Sequence, residues 1–191
     1  MEPELIAAAR LVARLLLREL DAPTLQELRD PPIAAALAGV GIALPSDDEL
    51  EALQAEFVDL FLHPARGAPP IASLWVDGQY EGDRAVALRS VATALGFELD
   101  PVGAGGAPAD HLGCLLLLWC EAAIHDPTGA DHFARAHLDW VPRALAAING
   151  DPGFYGSVGR AATALTHAMA TSPGPDVRGD AQASALSRGE T

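Results

Sequence analysis

The sequence predicts an all-α protein, a single-domain helical bundle of two subdomains joined by a Gly/Pro hinge. Three observations carry that prediction. Apolar residues recur three and four apart through most of the chain, the spacing of one helix face. Alanine and leucine dominate while aromatics make up 5%, a composition that favours helices over strands. Proline and glycine gather between the periodic stretches, where they punctuate helices rather than interrupt them. With 191 residues, half of them hydrophobic, the chain is long enough for one domain with a sizeable core.

A first helix is expected over residues 3–20, where Leu5, Leu11, Val12, Leu15 and Leu16 form a broad apolar stripe. Short helical pieces at Thr24–Arg29 and Ile33–Ala38 follow, separated by Asp30-Pro31-Pro32 and closed by Gly39 and Gly41. Ser46 with Glu49 forms a capping box for the helix that carries Leu50, Leu53, Phe57 and Leu60. Pro64 stops this helix, and Pro69-Pro70 keep the next segment extended, because proline lacks an N–H and disfavours helix in the residue before it. Ser73 to Tyr80 reads as a loop with a turn at Asp77-Gly78. Asp83 leads a helix through Val86, Leu88, Val91 and Leu95 to a stop at Gly96.

Residues 97–109, rich in glycine and proline, are the expected hinge between an N-terminal subdomain (1–96) and a C-terminal one (110–171). Asp110 is a natural N-cap for the helix that follows. Its run Cys114–Cys120 is apolar on every side and belongs at the centre of the fold. Asp126-Pro127-Thr128-Gly129 ends it, Phe133, His137, Leu138 and Trp140 lie on the next pieces, and Pro142 sits in a first turn. Asp151-Pro152 opens a last helix through Tyr155, Val158, Leu165 and Met169, and residues 172–191 read as a disordered tail.

Charge narrows the functional classes. Twenty-six acidic residues against twelve basic ones, all arginine, give a net charge of −14. Such a surface repels nucleic acid and anionic membrane and attracts basic peptides. Six acids fall between Asp47 and Asp59, and six more between Glu98 and Asp131, with no arginine in either stretch. Acids near a helix start also have a plain role on a solvated face near the positive helix end. The N-terminus lacks a basic signal start, and the apolar run Leu115–Cys120 is too short to span a bilayer, so a cytoplasmic protein without membrane insertion is expected. Cys114 and Cys120, six apart, suit neither a zinc site nor a redox pair and read as buried free thiols.

No cofactor is expected. None of the six histidines forms a metal-binding motif, and His132 and His137, five apart, do not share a helix face. Gly103-Ala-Gly105-Gly106 has no strand before it and no Lys-Ser/Thr after it, so it is not a phosphate loop. Asp110-His111 is the most reactive-looking pair. An enzyme would use His111 as a base oriented by a carboxylate, whereas a structural pair would use an N-cap aspartate beside a loop-bonded histidine. No serine or cysteine nucleophile stands at motif spacing, so the expectation is a non-enzyme, with a small helical enzyme using Asp110 and His111 as an alternative. Trp119 and Trp140 read as core, and Trp75 as a surface contact.

Four blocks carry a family resemblance. Glu56-Phe57-x-x-Leu60-Phe61-x-x-Pro64 followed by Pro69-Pro70-x-x-Ser73 resembles the signature loop of the TorD/DmsD family of chaperones for molybdenum-containing redox enzymes. Pro108-x-Asp110-His111-Leu112 is similar to that family's Pro-Asp-His-Leu motif. Phe133, His137-Leu138, Trp140 and Pro142 resemble its later pattern, and Phe154-Tyr155 its final aromatic pair. Two positions depart from the pattern: the apolar Leu115-Leu116 stands where the family has a glutamate, and Ile71 where it has an aromatic.

The resemblance implies an all-α chaperone that binds the twin-arginine leader and the body of an apo-molybdoenzyme catalytic subunit. It would assist molybdopterin insertion in the cytoplasm before export. It also implies a monomer or a domain-swapped dimer. A chaperone of the NarJ type, serving a non-exported subunit, is the alternative. A leader that is basic at one end and apolar after it calls for acidic groups beside a hydrophobic groove. The expected leader site is Asp110, His111, Ser73, Trp75 and Pro70, with Leu60 and Phe61 supporting the loop.

Overall fold

The computed structural model describes residues 3–63, 67–97 and 106–171, and within them the protein is helical with no strand. Helix α1 spans Pro3–Leu17, α2 Ala22–Leu28 and α3 Pro31–Gly39. A single 3₁₀ turn, Asp47–Glu49, leads into α4 at Leu50–Phe57, and a π turn, Val58–Leu62, continues it. Then come α5 at Ala72–Val76, α6 at Asp83–Ala94, α7 at Leu112–His125 and α8 at Pro127–His137. Helices α9, Val141–Asn149, and α10, Phe154–Thr171, complete the bundle. No helix among these residues is long and apolar enough to cross a membrane.

Local chemistry explains most of the helix ends. The Glu49 carboxylate reaches back to the Ser46 N–H (2.8 Å), the expected capping contact. Asp21 accepts from the Thr24 N–H to start α2, and Asp126 accepts from the Gly129 N–H to start α8. Gly96, with φ of 65°, closes α6 in the left-handed region that favours glycine. Pro31 and Pro32, expected to separate two helices, instead open α3. The first turn has no use for their missing N–H groups, and their fixed φ already suits a helix.

Helix α7 is the axis. Leu112, Leu115, Leu116, Leu118, Trp119 and Cys120 are buried, as an all-round apolar helix requires. It packs against α1 and α8, while α10 packs against α9, α1, α8 and α4. One hydrophobic core therefore runs through residues on both sides of the 97–109 segment. Residues 98–105 of that segment, Pro64 and the tail from residue 172 lie outside the described residues. Both cysteines are buried free thiols. Burial pushes the Cys114 thiol up to about 12 and Cys120 up to about 11, and the Asp110 charge adds to the rise at Cys114.

Candidate functional site

The site is assembled where the end of α4 turns back on itself. After the π turn, the Gly67 N–H donates to the His63 carbonyl (2.9 Å) and the Ala68 N–H to the Leu60 carbonyl (2.7 Å). A Cβ at Gly67 would lie 2.6 Å from the His63 carbonyl oxygen, so this return is open only to glycine. A π turn is uncommon and is found often at functional sites. Phe57 and Phe61 are both buried here, their rings 5.0 Å apart, and each meets Tyr155 of α10.

The extended proline segment then pairs with the start of α7. Ile71 and His111 form an isolated antiparallel bridge. The Leu112 N–H donates to the Pro70 carbonyl (2.8 Å) and the Ala72 N–H to the Asp110 carbonyl (2.9 Å). The Asp110 side chain completes the clamp by accepting from the Ser73 N–H at 2.8 Å. The segment 72–76 is thus a one-turn helix, α5, rather than the expected loop. Its first-turn donor is satisfied by a carboxylate 37 residues away.

Asp110 is therefore not the N-cap of α7. His111 is, its Nδ1 accepting from the Gly113 N–H at 3.1 Å. Burial pulls the His111 imidazole down to about 4, so it is neutral at pH 7 and carries its proton on Nε2. Gly113 is needed in the first turn of the helix: a Cβ there would stand 2.4 Å from Leu17 Cγ and 3.0 Å from the Ala13 carbonyl oxygen. That close approach of α1 and α7 brings Leu16 and Leu17 to the site.

Between these parts lies a groove of about 280 Å³. Leu16, Leu17, Phe57, Phe61 and Leu62 line it from α1 and α4, and Pro69, Ile71, Leu74 and Tyr80 from the loop and α5. Gly106, Ala107, Pro108 and His111 complete it. Among the described residues, no charged residue lines it. Leu62, 63% exposed, and Tyr80, 56% exposed, stand out into solvent.

The expected site residues fall into two sets. Phe61 and His111 line the groove. Ser73 and Asp110 are fully buried, and Ser73 Oγ and Asp110 Oδ1 have no hydrogen-bond partner. The Asp110 carboxylate thus holds the Ser73 N–H from within the fold and is not exposed at the groove surface. Pro70 is buried and contributes its carbonyl, and Leu60 is half-buried against the core. Trp75, also half-buried, donates its indole N–H to the Pro69 carbonyl at 2.9 Å, so it braces the loop. Leu16, Leu17, Leu62, Leu74 and Tyr80 also line the groove and are not among the residues expected from the sequence. Leu62 alone left a signal, an apolar residue at the last turn before a proline.

Comparison with known families decides the affiliation. A family model described as nitrate reductase delta subunit matches residues 16–144, well over half of the chain. The chain belongs to the nitrate reductase delta subunit family. This family holds the NarJ/TorD-type chaperones, so the protein is a redox enzyme maturation chaperone, and its partner class is a redox enzyme subunit. The fold resembles the crystal structure of a redox enzyme maturation protein from Archaeoglobus fulgidus, with a TM-score of 0.59 at 16% identity. That match covers 87% of this chain and 96% of the other. No curated protein matches the sequence.

Proposed function

We propose that the groove holds the apolar part of an N-terminal leader on an apo-molybdoenzyme, keeping the enzyme in the cytoplasm while molybdopterin is inserted before export. The observation that carries this reading is a groove with no charged side chain in its lining among the described residues, at the junction of both signature motifs, on a protein of net charge −14. Phe61 and Leu62 would take apolar leader side chains, and the neutral His111 would offer its Nε2–H to a leader carbonyl. Asp110, Ser73, Pro70, Leu60 and Trp75 are positioning residues in this reading, since they fix the loop without lining the groove. The subdomain boundary expected in the 97–109 segment is tested by light scattering after size exclusion, where a domain-swapped dimer has twice the chain mass.

A second reading is favoured by the same lining. A groove whose lining holds no carboxylate among the described residues does not itself demand arginines, so a NarJ-type client, with an apolar N-terminal segment and no arginine pair, fits it as well. Isothermal titration of the full chain with a twin-arginine leader peptide, and with the same peptide carrying Gln-Gln, separates the two. A tenfold or greater loss with Gln-Gln supports the twin-arginine client, and equal affinities support the NarJ type. Affinity for both peptides unchanged in Leu62→Asp removes the groove from the site.

A further inference from the structure

The first residue of the signature, Glu56, takes no part in the groove. It lines a different cavity of about 410 Å³ between α4 and the start of α10. Leu44, Pro45, Leu53 and Phe154 give this cavity apolar walls, and Glu49 and Glu56 are its charged residues. Glu49 is committed, its Oε2 held by the Ser46 N–H and hydroxyl at 2.8 and 2.6 Å. Glu56 is not: its Oε1 is buried with no hydrogen-bond partner. Burial, reinforced by the neighbouring Asp151 charge, raises the Glu56 carboxyl above its ordinary range. Among the described residues, no basic residue lines the cavity to relieve it. Arg160, on α10, spends its guanidinium on the Asn149 and Asp151 carbonyls and the Ser157 hydroxyl.

We propose that this cavity is a second contact for a basic peptide, taking one arginine side chain with its guanidinium on Glu56 and its aliphatic stem along Leu53 and Phe154. The charge of the site calls for a cation, and the apolar walls call for a stem that fills them. Arginine meets both better than lysine, because its planar guanidinium is less strongly hydrated and matches a carboxylate in geometry. The cavity does not depend on the groove reading, because its lining residues are different.

The test is a titration of the full ¹⁵N-labelled chain with Ac-Leu-Arg-NH₂ and with Ac-Leu-citrulline-NH₂, which has the same shape without the charge. Saturable shifts at the Glu56, Gly153, Phe154 and Ser157 amides are expected with arginine and not with citrulline. Glu56→Gln, which keeps the shape, should weaken arginine binding about tenfold, as loss of a charge-assisted bond does. Equal shifts with citrulline, unchanged affinity in Glu56→Gln, or shifts confined to groove amides such as Ile71, Gly106 and His111 would each overturn the proposal. The first arm needs no variant, so a folding defect cannot obscure it, and groove binding is read at separate amides.

Discussion

Helix α4, with the π turn that continues it, borders two spaces of different chemistry. The first, lined by Phe57, Phe61 and Leu62, is a groove with no charge in its lining among the described residues. The second, lined by Leu53 and Glu56, is a cavity where a carboxylate oxygen is buried and unpaired. The groove is stabilised by what it buries; the cavity keeps a group that is less comfortable folded than in water. A residue retained against its own desolvation invites a functional explanation, whereas a buried aromatic pair is explained by packing alone. The contrast also matches the two halves of a basic, then apolar, peptide.

The sharpest way to break the groove side is Phe61→Ala. Removing a ring that touches both Phe57 and Tyr155 should cost about 3–5 kcal/mol in urea unfolding. A cost below 1 kcal/mol would mean that the π turn is not packed as described. Acid should weaken the same side next. An unfolded His111 takes up a proton near pH 6.5, whereas the folded one does so only near 4. Stability is therefore lost as pH falls through that window, by about 3 kcal/mol when complete. His111→Asn keeps an acceptor for the Gly113 N–H and should flatten this part of the profile when unfolding is compared at pH 7 and 4.5. Asp110→Ala should cost about 1–3 kcal/mol, because the Ser73 N–H loses its buried acceptor. Slower proton exchange at the Ser73 amide in the variant than in the wild type would contradict that role.

On the cavity side the sign reverses. Glu56→Gln should leave the melting temperature at pH 7 unchanged or slightly higher, since the charged form is the one that burial disfavours. A clear drop would mean that the carboxylate holds the fold together. The smallest stability effect belongs to the exposed Leu62. Leu62→Asp should shift stability by no more than about 0.5 kcal/mol while weakening peptide binding about tenfold, a split that separates recognition from packing.

What the sequence shows, and what it hides, follows the range of the interaction. The central position of α7 is legible because seven apolar residues in a row leave a helix no polar face. The Ser46–Glu49 cap and the Gly96 stop are legible because their partners lie within a turn. Helix α5 is not, since its first-turn donor is satisfied by Asp110, far along the chain. Assigning Asp110 as the cap of α7 fails for the same reason: one aspartate had two sets of donors in reach, and the distant one won. Leu16 and Leu17 carry no local mark of groove residues. The glycine that lets α1 approach, Gly113, sits in another helix.

Cys114 lies in a small cluster with Leu17, Ala107 and Leu117, where α1 presses on the start of α7. Its thiol is buried and almost wholly protonated at neutral pH, so a disulfide reagent can reach it only while that junction stands open. The rate of its modification thus reports how readily the junction opens beneath the groove. A peptide that bridges Leu17 and His111 should slow that modification in proportion to its occupancy.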